Sequence, residues 1–148
     1  MAEISGMLTN VPSAEAENLL IQLAEKSPHE NVRAAASWSI IGFYQGLSEY
    51  QTVAKEDPTM DVPAFVTEFD TSKFDLETTM EKFVADFGQM KFKGKTYAEI
   101  VEPELFVLKN LSVGKVAPEI EGIDLDDKSF KLSDYRGKVV LLDFWGDW

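Results

Sequence analysis

The sequence predicts an α+β chain in two parts. An all-α N-terminal domain is expected over residues 1–111. After a linker at 112–118, residues 119–148 read as the opening of an α/β domain, with a hairpin, a short helical turn and one buried strand. Three observations carry this. Apolar residues recur at helical spacing between capping residues from Ser13 to Leu111. That periodicity stops at Val113-Gly114-Lys115-Val116-Ala117-Pro118. The chain then closes on Lys138 to Trp148, where Val139, Val140, Leu141, Leu142, Phe144 and Trp145 form an apolar run broken only by Asp143. A run of this kind, rich in β-branched and aromatic residues, suits a strand covered on both faces.

Residues 1–11 carry no clear signal. Pro12-Ser13 open the first helix, with Ser13 as N-cap and Glu15 and Glu17 in the first turns, where the helix dipole favours acids. Ala16, Leu19, Leu20, Leu23 and Ala24 share one face. Ser27 with Glu30 is expected to form a capping box, with Pro28 at the first position of a second helix reaching about Ala54. Its apolar positions are Ala34 to Ala36, Trp38, Ile41, Leu47 and Tyr50, widened by Ile40, Phe43 and Tyr44. Gly42 and Gly46, one turn apart, predict close packing against a neighbouring helix. Trp38-x-x-Ile41-Gly42 is similar to the start of a tetratricopeptide repeat. The tyrosine falls one residue early and no second copy follows, so a plain helical hairpin is expected.

Asp57-Pro58 ends that helix, and residues 57–73 read as a connection around the apolar piece Ala64 to Phe69. A third helix is expected from Asp75 to Phe87, with Leu76, Met80, Phe83, Val84 and Phe87 as its stripe and Gly88 as a C-terminal cap. Lys91 to Lys95 alternates and turns at Gly94. Thr96 with Glu99 predicts a capping box for a fourth helix, Tyr97 to Asn110, which buries Ile100, Val101, Leu105, Leu108 and Leu111; Pro103 predicts a kink or restart inside it. Beyond the linker, Glu119 to Leu125 reads as a strand anchored by Ile120 and Leu125. Asp126-Asp127-Lys128 is a tight turn, Ser129 to Leu132 the return strand, and Ser133 to Gly137 a helical turn closed by glycine.

Composition sets limits. The chain has 148 residues, 45% of them hydrophobic, with 10 Phe and 3 Trp, enough to bury a core. The net charge is −12, and both parts are acidic: 18 acids against 9 bases in residues 1–114, and 8 against 5 in 115–148. With basic residues scattered singly, nucleic acid and anionic membrane are not expected partners. The absence of cysteine excludes disulfides, thiolate catalysis and zinc–thiolate sites on this chain. The single His29 reads as an exposed first-turn residue, and Glu99, Glu102 and Glu104 as a solvated helix face. No cofactor or metal motif is read, and no apolar run is long enough to span a bilayer. The opening Met-Ala-Glu-Ile-Ser-Gly-Met-Leu lacks the features of a signal peptide, which leaves a cytoplasmic chain or a natural start upstream of Met1.

Gly114-Lys115-x-Ala117-Pro118, Leu125-Asp126-Asp127-Lys128, Leu132-Ser133-Asp134-Tyr135-Arg136-Gly137-Lys138 and Val139 to Trp148, in that order, resemble the start of a TlpA-like thioredoxin-fold domain. That group belongs with the redoxin (AhpC/TSA) families. Ser27 to Ala36 also resembles the helical region that precedes the redox domain in some bacterial TlpA-like proteins. In the family, the pattern of Asp143-Phe144-Trp145-Gly146-Asp147-Trp148 leads directly into Cys-x-x-Cys. The resemblance therefore implies a chain cut just before the redox motif of a thiol–disulfide oxidoreductase, and one inactive by itself.

The resemblance further implies protein thiols and disulfides as partners, an extracytoplasmic compartment, and roles for three residues. Asp143 matches the buried carboxylate that carries a proton for the resolving cysteine in the whole protein, and a desolvated acid suits that task; in this chain, with the sheet incomplete, it is expected as a strand-end acid bonded to a backbone amide or facing solvent. Trp148 matches the aromatic beside the active site, and Trp145 its neighbour. Two rival readings are a peroxiredoxin-type enzyme, whose Thr-x-x-Cys approach Phe144 to Trp148 does not match, and a non-enzymatic helical binding module with a C-terminal strand stub. An unpaired apolar strand over 139–148 also predicts self-association through its edge.

Overall fold

The computed structural model describes residues 13–57 and 59–144, and the statements below concern these. Five α-helices appear: α1 (Ala14–Lys26), α2 (Glu30–Glu56), α3 (Ala64–Glu68), α4 (Leu76–Phe87) and α5 (Tyr97–Asn110). Two antiparallel pairs accompany them, β1 (Lys91–Phe92) with β2 (Lys95–Thr96), and β3 (Glu121–Ile123) with β4 (Ser129–Lys131). The chain divides into two compact units between Leu108 and Lys109, inside the last turn of α5.

The helical unit is organised by α2. Along its length Ala34, Trp38 and Ile41 follow one another at helical spacing on one face, and Phe43 and Leu47 mark another. The first face enters a core with Met80 and Phe83 of α4 and Tyr97, Val101 and Leu105 of α5. The second packs with Ala16 and Leu20 of α1 and Val66 of α3. Helix α2 thus serves two cores, and α1 and α2 form the expected helical hairpin. In the first core the Trp38 ring lies 5.6 Å from that of Phe83, and Phe83 meets Tyr97 edge-on at 4.9 Å.

The helix ends show where local chemistry decided the outcome. Ser13 Oγ accepts the Ala16 N–H at 3.2 Å, and Asp75 accepts the Thr78 N–H at 3.0 Å. Thr96 and Glu99 form the full reciprocal box: Thr96 Oγ1 accepts the Glu99 N–H at 3.2 Å, and Glu99 Oε2 accepts the Thr96 N–H at 2.7 Å. Positive φ at Lys93 (51°) and Gly94 (89°) turns β1 into β2, the paired left-handed geometry of a two-residue hairpin.

Several expectations are corrected. Ser27 does not box with Glu30. Its Oγ accepts the His29 N–H, and α2 starts at Glu30 with His29 as an N-cap that makes no side-chain cap bond. Gly42 and Gly46 are exposed, and a Cβ at either would meet nothing within 4 Å, so they are not packing notches. Gly88 closes α4 in a right-handed conformation at φ −54°, not as a left-handed cap. Its need for glycine is steric, since a Cβ there would overlap the Val84 carbonyl oxygen. Pro103 does not restart α5, which runs unbroken because burial of Val101 and Leu105 on either side of it holds the helix to the core. Leu19, Leu111 and Leu125 are exposed instead of buried. The connection at 57–73 contains a structure the periodicity was too short to reveal. Helix α3 is held to α2 by Gln51, whose Nε2 donates to the Val66 and Phe69 carbonyls at 2.6 and 2.7 Å.

Candidate functional site

The second unit begins in the last turn of α5 and centres on the β3–β4 hairpin. Register pairs Glu121 with Lys131, Gly122 with Phe130 and Ile123 with Ser129. The turn is built by one acid outside the expected Asp126-Asp127-Lys128. Asp124 Oδ1 accepts the N–H groups of Asp126 and Lys128, both at 2.9 Å, and Asp127 takes a φ of 61° that a short acidic side chain tolerates. Opposite Gly122 lies the Phe130 ring, and a Cβ on Gly122 would come within 2.9 Å of it. Glycine is therefore what allows the ring to cover the strand.

A short 3-10 turn over Leu132–Tyr135 follows β4. The Leu132 N–H donates to the Ile120 carbonyl at 2.9 Å, and Glu119 Oε1 accepts the Ser133 N–H at 2.9 Å. Hydrogen bonds from Ser133, side chain first and then backbone, hold the Glu119 carboxyl below the ordinary carboxylate range. Asp134 accepts the Lys131 N–H at 2.9 Å and caps the turn. Gly137, at φ 81°, redirects the chain toward the apolar run. Sequence reading missed Glu119 and Asp124; an acid two residues before a turn donor was the available signal for Asp124, while Glu119 meets Ser133 only once the hairpin has closed.

The apolar run is the main correction. Val139 to Phe144 carries no strand pairing, and Val139, Leu141 and Phe144 are 103%, 93% and 81% exposed. A buried strand needs partners on both edges and cover on both faces. The only strands described in this unit, β3 and β4, pair with each other. Asp143 is likewise exposed and enters no apolar surrounding. Trp145 and Trp148, the other two predicted site residues, lie outside the described residues. Among the described residues no group of three or more His, Cys, Asp or Glu side chains could hold a metal ion, and no helix is long and apolar enough to cross a membrane.

Comparison with known proteins adds one relationship. A segment of the chain is 47% identical over 38 residues to the thiol-disulfide oxidoreductase ResA of Geobacillus thermodenitrificans, covering 26% of this chain and 22% of that protein. The ResA of Geobacillus kaustophilus gives 50% over 38 residues, with the same shares, and that of Bacillus thuringiensis subsp. konkukian gives 42% over 40 residues, covering 27% and 23%. Over this segment the chain is related to thioredoxin-like thiol–disulfide oxidoreductases. It spans less than a quarter of the length of these relatives. No family model and no solved structure matches the chain.

Proposed function

We propose that residues 119–148, entered through the linker at 112–118, are the opening of a TlpA-like, redoxin-type thioredoxin domain, cut just before its Cys-x-x-Cys, and that residues 1–111 are a helical domain preceding it. The identity of 47–50% over 38 residues to ResA enzymes carries this reading. The order of the motifs from Gly114 to Trp148 supports it. In the whole protein a cysteine thiolate attacks a protein disulfide and displaces one thiolate. A second cysteine then displaces the other, so two electrons pass from the enzyme's dithiol to the substrate disulfide. Asp143 would exchange a proton with the second thiol, and Trp145 and Trp148 would wall the site. Val139 to Phe144 would become the central strand once its neighbours are supplied.

Two measurements test this. The gene read past the codon for Trp148 is expected to encode Cys-x-x-Cys at once; coding sequence without that pair overturns the proposal. The 148-residue chain, which has no thiol, is expected to reduce insulin with dithiothreitol no faster than buffer does. Turnover above that background would show chemistry outside this reading.

A further inference from the structure

The helical unit contains a concavity that the redox reading does not use. Glu17 of α1, Tyr44 of α2, Glu68 at the end of α3, and Phe69, Asp70 and Phe74 in the segment after it line a cavity of about 400 Å³. Half of this lining is aromatic. Tyr44 stacks on Phe74 with ring centroids 4.1 Å apart, and the Phe69 ring lies 5.4 Å from that of Tyr44. All three are only half-buried, so ring surface remains open to the cavity.

The remaining lining consists of the three carboxylates of Glu17, Glu68 and Asp70. Two of them have structural duties. Glu17 accepts the Tyr44 hydroxyl, and Asp70 accepts the Ser72 N–H at 3.2 Å. Those bonds fix the acids where they stand. Glu68 has no such duty visible. It is exposed and ends α3, where the helix dipole disfavours an acid. Ring faces carry the negative end of the aromatic quadrupole, so rings and carboxylates attract the same kind of ligand. An anion would be repelled by both. A small hydrated metal ion would gain little from the rings, whereas a cation wrapped in alkyl groups can use both walls at once.

We propose that this pocket binds an alkylated ammonium ion, with Tyr44, Phe69 and Phe74 packing on its methyl groups and Glu17 and Glu68 balancing its charge. The test titrates the full chain, followed by NMR shifts of the lining residues, with choline, with a trimethyl-lysine peptide, and with 3,3-dimethylbutan-1-ol, which has choline's shape without its charge. At least one of the two cations is expected to saturate the site, and the one that binds tighter identifies the source of the ammonium group. The neutral alcohol is expected to bind about tenfold more weakly or worse. Phe69→Leu is expected to weaken cation binding several-fold. The exposed Glu68→Gln is expected to do the same at an unchanged melting temperature, which guards against a folding defect. Equal binding of alcohol and cation, shifts that map elsewhere, no saturation by either cation, or wild-type affinity in Glu68→Gln would each overturn the proposal.

Discussion

Tyr44 shows how one side chain joins distant parts of the chain. Its hydroxyl donates to Glu17 across the α1–α2 hairpin while its ring stacks on Phe74. Burial first, and then the bond to Glu17 and that residue's charge, push its phenol well above the ordinary tyrosine range. Tyr97 is raised in the same direction, by burial alone. A raised pKa in the folded state means the fold binds the proton more tightly than the unfolded chain does. The stability this contributes is therefore complete below about pH 10, and is lost as pH climbs from there through the folded-state value. Tyr44→Phe is expected to cost about 1 kcal/mol at neutral pH in urea denaturation, from the lost bond to Glu17. Its stability is also expected to fall less steeply than wild type above about pH 10; an unchanged alkaline slope would contradict this. Glu99 has the opposite sign. Thr96, through its backbone and then its side chain, holds that carboxyl below the ordinary range, so its contribution is present at neutral pH and lost on acidification.

At the scale of elements, α2 decides the architecture, and its glycines separate two physical situations that look alike in sequence. Gly42 and Gly46 are themselves exposed, with open space where a Cβ would go. Gly42→Ala and Gly46→Ala are each expected to stabilise the chain by about 0.5–1 kcal/mol, because alanine restricts the unfolded chain and favours helix. Gly88→Ala is expected to destabilise it, since the added carbon meets the Val84 carbonyl oxygen. Thermal or urea unfolding of the three variants reads both signs, and destabilisation by either α2 substitution would show that those glycines do face a neighbour. The capping residues behave differently. Ser13, Asp75 and Thr96 act through bonds three residues away, and such short-range chemistry is visible in the sequence. Ser27 obeyed the same pattern and failed, because it closes α1: its N–H donates to the Leu23 carbonyl, and its own carbonyl is taken by Arg33.

At the scale of the whole molecule, the two units differ in how much they bury. The helical unit encloses Leu20, Ile41, Leu47, Val66, Met80 and Val101 completely. The second unit buries no large side chain among its described residues, and its apolar run faces outward. Hydrogen exchange is expected to follow this division. Amides around Ile41, Met80 and Val101 should exchange slowly, and those of residues 139–144 at close to free-chain rates. Protection at 139–144 would mean that another strand, from a second copy or another protein, has paired with the run.

By itself, the sequence determined the features that depend on a few neighbouring residues: the four main helices, three of their starts, the turns at Gly94 and Asp126 to Lys128, and the resemblance carried by residues 114–148. These rest on capping, turn chemistry and 3.6-residue periodicity, which act over short distances along the chain. Only the tertiary structure decided which apolar residues are covered. It buried Val66 in a segment too short to show a period, placed Glu17 against Tyr44 and Phe69 beside it, and left Leu19, Leu125 and Val139 to Phe144 outside. An apolar pattern states that a surface needs a neighbour; whether the fold brings one is settled only when distant parts of the chain meet.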